Sequence, residues 1–231
     1  MSMIKICGLR RLEDALMVNE GHPDFAGFIL TPSKRQVTIE QADELSGILL
    51  ASIRRVGVFA KETPARIART AAVLALDGIQ LHFDTTVPFM TELKNQLIQF
   101  PYAKTPFLWQ RIPVPSTALL AEDVSGGLGA FPDLSGFDGL ILDTFHAGKD
   151  GGTGKTFPWK PAIEYIRKAG NNLSKSRIIV AGGLTLDNVA DAIAFFNPYA
   201  VDVSSGVESD GYKDREKVLR FIETARKAEV F

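Results

Sequence analysis

Residues 177–206 read RIIVAGGLTLDNVADAIAFFNPYAVDVSSG. The apolar run Arg177–Ala181 stops at Gly182-Gly183. Thr185 then opens Leu186–Phe195, whose apolar residues recur at helical spacing. A second apolar run, Ala200–Val203, stops at Ser204-Ser205-Gly206. A strand, a helix and another strand in this order make a parallel pair joined by a right-handed crossover. Both strands end in glycine or hydroxyl residues, so those residues meet at one edge of the sheet, the C-terminal edge.

The same unit recurs in both directions from this stretch. Strands are expected at Met3–Cys7, Phe25–Leu30, Arg54–Phe59, Gly78–His82, Pro106–Ile112 and Gly139–Asp143. Helices are expected near Arg11–Asn19, at Ile39–Leu50 with Thr38 as cap, from Thr63 and Pro64 through Leu76, and at Val87–Ile98, Pro158–Lys168 and Asp214–Lys227. Eight units in 231 residues come to about 29 each, the size of a minimal strand–helix repeat. The fold class is α/β. The expected architecture is a single-domain (β/α)8 TIM barrel over residues 1–231, with a closed parallel sheet. An open doubly wound sheet shares the periodicity. The barrel is favoured because Cys7, Asp143, Gly182-Gly183 and Ser204-Ser205 all directly follow apolar runs, and so gather at the C-terminal rim where barrel enzymes keep their chemistry. The exception to the pattern is Pro113–Phe137, rich in Gly, Pro, Ser and Asp, expected as a surface loop replacing most of one helix.

Composition excludes several classes. The chain has 26 basic and 27 acidic residues and a net charge of -1, so no global field draws it to nucleic acid or an anionic membrane. With 45% hydrophobic and 23% charged residues it is ordinary globular sequence. Its single cysteine, Cys7, cannot form an internal disulfide, and His22, His82 and His146 show no metal-ligand spacing. The charged first residues and the lack of a long apolar run speak against a signal peptide or membrane span; a cytoplasmic location is expected. No metal or organic cofactor is called for. A monomer and a homodimer both fit.

Gly151-Gly152-Thr153-Gly154-Lys155-Thr156 invites comparison with a nucleotide-binding P-loop. That motif needs glycine where this chain has Lys149, and Gly148 falls one place early. A nucleotide triphosphatase is rejected. Gly152 and Gly154 remain suited to close backbone approach to an anion, or to a plain flexible loop. Gly182-Gly183 and Ser204–Gly206 follow the seventh and eighth strands, where barrels commonly hold phosphate. Cys7 and Asp143, facing each other across a barrel mouth, could form an acid–base pair. Spacing alone assigns neither to catalysis: a buried cysteine is usually a small hydrophobe and a strand-end aspartate often a cap or structural acceptor. Arg35 is either a solvated arginine or a fork for a carboxylate. His82 is expected as a satisfied buried histidine.

Lys5-Ile6-Cys7-Gly8-Leu9, Gly27-Phe28-Ile29, Ser33 to Val37, Val56 to Phe59 and Asp77 to His82 resemble the phosphoribosylanthranilate isomerase family. So do Leu142-Asp143 with Gly151 to Phe157 and Trp159, Ala181 to Leu184 with Asn188-Val189, and Asp202 to Glu208 with Gly211 to Asp214. The segments run the length of the chain in family order. The resemblance implies an Amadori rearrangement of N-(5-phosphoribosyl)anthranilate in tryptophan biosynthesis. It implies Asp143 as general acid, Cys7 as general base and Arg35 against the anthranilate carboxylate. It implies Gly152, Gly154, Gly182, Gly183, Ser204, Ser205 and Gly206 around the phosphate of this small-molecule phosphoribosyl substrate. A histidine-pathway isomerase would carry aspartate in place of Cys7; a non-catalytic sugar-phosphate binder is the other alternative. The chain departs from the family at Phe83, where glycine is usual, and at Gln110, where a lysine is expected on the fifth strand.

Overall fold

The computed structural model of the chain describes residues 1–102, 104–115, 136–145, 159–160, 162–163 and 178–228. Eight parallel strands close into a barrel in sequence order: β1 (Met3–Cys7), β2 (Phe25–Ile29), β3 (Arg54–Phe59), β4 (Gly78–Leu81), β5 (Phe107–Pro115), β6 (Gly139–Phe145), β7 (Ile178–Val180) and β8 (Ala200–Val203). Closure is made by β8 against β1, with Lys5 opposite Asp202. The described helices are α1 (Leu12–Gly21), α2 (Ile39–Ile48), α3 (Pro64–Val73), α4 (Val87–Leu97), α5 (Val189–Phe196) and α6 (Arg215–Lys227). A two-stranded hairpin, β9 (Glu208–Ser209) with β10 (Tyr212–Lys213), stands between β8 and α6.

Helix starts follow the local chemistry of the chain. Thr38, Thr63, Thr86 and Asp214 each accept a backbone N–H three residues on, from Gln41, Arg66, Phe89 and Lys217. Each such cap supplies a partner to an N–H that the helix cannot satisfy, worth typically about 1 kcal/mol.

Among the described residues, apolar side chains form two cores. The larger lies between barrel and helices. The smaller fills the barrel interior with Phe25, Val56, Trp109, Ile141, Ile179 and Ala200. Phe25 and Trp109 meet edge to face at 5.0 Å, the geometry favoured by ring quadrupoles. Met3 packs on this interior cluster. Strand side chains alternate, so Lys5 and Cys7, two and four residues on, face inward as well. The floor of the barrel is therefore apolar, and its upper part is polar.

The structure corrects the sequence reading at three places. Pro113–Pro115 belong to β5 and pair with Asp143–Phe145, so the irregular stretch does not begin at Pro113; residues 116–135 lie outside the described residues. Gln110 faces away from the barrel interior: its amide donates to the Phe83 and Arg111 carbonyls and accepts from the Thr85 hydroxyl. The inward cation of β5 is Arg111. Phe83 turns outward too, packing edge to face on Phe89 of α4 at 5.2 Å, and so leaves the mouth clear.

Candidate active site

The strands deliver the candidate residues to one rim. Cys7 ends β1 and is 6% exposed. Asp143 lies within β6, two residues before its end. Gly182 and Gly183 follow β7 with φ of 70° and 73°, left-handed backbone that favours glycine. Ser204 directly follows β8, and Ser205–Val207 make a single 3-10 turn. A Cβ on Gly206 would lie 1.9 Å from the Leu184 carbonyl oxygen. The turns after β7 and β8 thus touch, and only a glycine permits that approach. Gly152 and Gly154 lie outside the described residues.

Arg35 is brought to the same rim but is not solvated. It is 7% exposed, and its Nε and Nη2 donate to the two carboxylate oxygens of Glu208 at 2.7 and 2.8 Å. Lys213 donates to Glu208 Oε1 and to the Ser204 carbonyl, both at 2.9 Å. Burial pushes the Glu208 carboxyl up, but Arg35 and Lys213 outweigh it and hold it down at about 2. The Lys213 ammonium moves down, because its burial exceeds the pull of Glu208.

Below the rim, Lys5 is fully buried and donates to Asp202 Oδ2 at 2.8 Å and to Gln80 Oε1 at 2.9 Å. Burial and then Asp202 push the Cys7 thiol above its ordinary value, against an opposing pull from Lys5 and Lys213. Burial pushes Asp143 up to about 6, against the nearby Arg111 cation. Arg111 Nε is 4.0 Å from Asp143 Oδ2 and His82 Nε2 is 3.7 Å from it. His82 differs from the expected satisfied histidine. Its Nδ1 is buried and finds no hydrogen-bond partner among the described residues, and desolvation, then Arg111, hold its pKa down at about 3.

Lys5, Gln80, Arg111, Asp202, Glu208 and Lys213 had no assigned role in the sequence reading. Alternation along β1 is the signal that places Lys5. Nothing local signals Glu208, whose partner lies 173 residues away.

A carboxyl that holds its proton to about pH 6 and a thiol on another strand of the same mouth can pass protons to and from a ligand between them. A closed (β/α)8 barrel with titratable side chains at its C-terminal mouth has the architecture of the barrel enzymes. Comparison narrows the class. The family model for N-(5'-phosphoribosyl)anthranilate (PRA) isomerase matches residues 4–224, and the chain belongs to that family. It is 39% identical over 226 residues to the N-(5'-phosphoribosyl)anthranilate isomerase of Thermoanaerobacter sp. strain X514, covering 98% of each chain. The crystal structure of phosphoribosyl anthranilate isomerase from Thermotoga maritima superposes with a TM-score of 0.75 at 30% identity, over 98% of this chain and 99% of that one. A second structure, of phosphoribosyl anthranilate isomerase in complex with reduced 1-(o-carboxyphenylamino)-1-deoxyribulose 5-phosphate, matches at TM-score 0.70 and 28% identity over 98% of this chain and 99% of that one. Among the described residues, no helix is long and apolar enough to cross a membrane.

Proposed function

We propose that this chain converts N-(5-phosphoribosyl)anthranilate to 1-(2-carboxyphenylamino)-1-deoxyribulose 5-phosphate, a step of tryptophan biosynthesis, with Asp143 as acid and Cys7 as base. Protonated Asp143 gives its proton to the furanose ring oxygen. The C1–O bond breaks, the ring opens and nitrogen forms a Schiff base with C1. The Cys7 thiolate then removes the proton on C2, and the electron pair left behind neutralises the iminium. The resulting enolamine tautomerises to the ketone.

The observation that carries this reading is the raised pKa of Asp143, about 6 where an ordinary aspartate is near 3.8. A general acid must still hold its proton near working pH, and an unperturbed aspartate would not. Membership of the family supplies the substrate. The contact between the turns at Gly182-Gly183 and Ser204–Gly206 supports one phosphate cradle, which Gly152 and Gly154 would complete from residues outside those described. Arg35 has donors beyond those it gives to Glu208, and these would take the anthranilate carboxylate.

The test follows the fluorescence of freshly prepared phosphoribosylanthranilate. The parent protein should remove it rapidly, and Cys7→Ser and Asp143→Asn should each slow that loss by several orders of magnitude, given that acid and base act in sequence. A folded parent without turnover would leave a phosphate-binding barrel with another ligand.

A further inference from the structure

A fully buried lysine is rare, because a charge leaves water at a cost that only close partners offset. Lys5 pairs in register with Phe25, a member of the apolar interior cluster with Trp109 and Ile141, so its ammonium is set in the barrel beside apolar side chains. Its ammonium carries three N–H groups. One goes to Asp202 at 2.8 Å and one to Gln80 at 2.9 Å. Cys7 stands two residues along β1 on the same inward face, so its sulfur lies on the side of the strand that carries the Lys5 ammonium, and that cation pulls on the thiol. Asp202 is not saturated in return: its Oδ1 is buried and has no hydrogen-bond partner among the described residues.

The other charges that face Cys7 come from three elements. Asp202 projects from β8, Lys213 from the hairpin, and Arg35 from the bend after β2. Arg35 and Lys213 are both occupied by Glu208. Lys5, on the same face of the same strand, is the cation that pulls hardest on the thiol, and Asp202 draws on the same ammonium.

We propose that Lys5 is the positioning residue for the Cys7 thiolate, and that Asp202 opposes it by competing for the shared ammonium. This rests on the reading of Cys7 as the base. On ionisation the S–H bond breaks heterolytically, the proton passes to water and sulfur keeps the pair. Lys5 remains an ammonium throughout and neither gives nor takes a proton. When the thiolate takes the proton from C2, the S–H bond forms again and the ammonium relaxes toward Asp202.

Cys7 is the only cysteine in the chain, so its ionisation can be read without interference from another thiol. The ligand-free protein is titrated by ultraviolet thiolate absorbance, with Cys7→Ser subtracted to remove tyrosine, and by the pH dependence of iodoacetamide alkylation. Lys5→Met should move the thiol midpoint up by about one unit or more, a tenfold loss of thiolate at fixed pH. Asp202→Asn should move it down, and Lys5→Arg should return it toward the parent. Opposite shifts from two members of one ion pair would not arise from general loosening of the barrel. If Lys5→Met does not fold, Asp202→Asn decides alone. Unmoved midpoints, or a lower midpoint in Lys5→Met or a higher one in Asp202→Asn, would overturn the proposal. Turnover of phosphoribosylanthranilate by the parent separates this from the proposed reaction. Shifted midpoints without turnover uphold the hold of Lys5 on Cys7 and remove the reaction; turnover with unmoved midpoints removes Lys5.

Discussion

The Arg35 guanidinium lies side-on against Glu208, with Nε 2.7 Å from Oε1 and Nη2 2.8 Å from Oε2. A guanidinium has two edges that can grip a carboxylate. Glu208 takes the edge formed by Nε and Nη2, which leaves Nη1 and one Nη2 hydrogen for a second anion. The hairpin that carries Glu208 is itself held in place. Tyr212 lies between the Arg10 and Arg11 guanidiniums, 4.7 and 4.3 Å from its ring centre, and such contacts contribute about 0.5–1 kcal/mol each when exposed. Where Arg35 takes the anthranilate carboxylate as proposed, Glu208 aims it at the ligand instead of competing for it.

Glu208→Gln should accordingly weaken binding and spare the chemistry. A charge-assisted hydrogen bond is worth about 1.5–3 kcal/mol, so KM should rise by about tenfold or more. kcat should stay within about twofold, since Glu208 touches no reacting atom. Steady-state kinetics on phosphoribosylanthranilate reads both. A lower KM in Glu208→Gln would mean that Glu208 is a competitor that the substrate must displace.

The pH dependence follows from the order of the two ionisations. Asp143 is pushed up to about 6, and burial moves Cys7 above its own ordinary value. The reactive form needs Asp143 protonated and Cys7 ionised, which is the minor arrangement of the pair. Its fraction rises with pH until Asp143 titrates, stays level, and falls once Cys7 titrates. kcat/KM should therefore climb to a plateau from an acid limb near pH 6, the free-enzyme value of Asp143. Arg111 pulls that value down, so Arg111→Met should move the acid limb to higher pH. The substrate phosphate titrates identically with both proteins, so the difference between them isolates Asp143. Coincident acid limbs would detach Arg111 from the acid.

Gly27 provides the space that the thiol occupies. A Cβ at Gly27 would lie 2.7 Å from Cys7 Sγ and 3.1 Å from Cys7 Cα, so the side chain and backbone of β1 must both shift. Gly27→Ala should cost about 1–3 kcal/mol of stability by overpacking. Because proton abstraction depends on the position of sulfur, kcat should fall by about tenfold or more. Denaturant unfolding and kcat measured together check this; a stable Gly27→Ala with parental kcat would show that the thiol has slack.

The barrel was readable because each unit announces itself twice, by an apolar run and by the helix period that follows. The rim residues were readable for the same reason: Cys7, Gly182 and Ser204 come where apolar runs stop. Side-chain direction was harder on β5. In Leu108-Trp109-Gln110-Arg111 two apolar residues precede two polar ones, and such a pattern has no period of two to show which face looks inward. Trp109 settles it, since its place in the interior cluster puts Arg111 inside and Gln110 outside. The end of β5 was hidden by Pro113 and Pro115, which argue against a strand. They are tolerated because β4 pairs no further than Leu81 opposite Gln110, leaving one side of β5 without a neighbour strand that needs its N–H groups. Glu208 was out of reach of local pattern altogether, since only the closed barrel sets it beside Arg35.

His82 links the site to acid stability. Its pKa is held down at about 3 against an ordinary 6.5, by desolvation first and then by Arg111 and Lys5. Above about pH 6.5 the imidazole is neutral in both folded and unfolded chains, and the full stability is present. As pH falls the unfolded chain takes up the proton and the folded chain does not, so stability is lost progressively down to about pH 3. The slope from this one group reaches about 1.4 kcal/mol per pH unit. His82→Leu removes the titrating group along with a buried Nδ1 that lacks a partner among the described residues. Its Tm should therefore fall less steeply than the parent's between pH 6 and pH 4, a window chosen to lie between the two values. Carboxylates titrate in the same window but are common to both proteins, so thermal unfolding of the pair isolates the imidazole. Parallel Tm curves would mean that the folded protein admits a charged His82 beside Asp143.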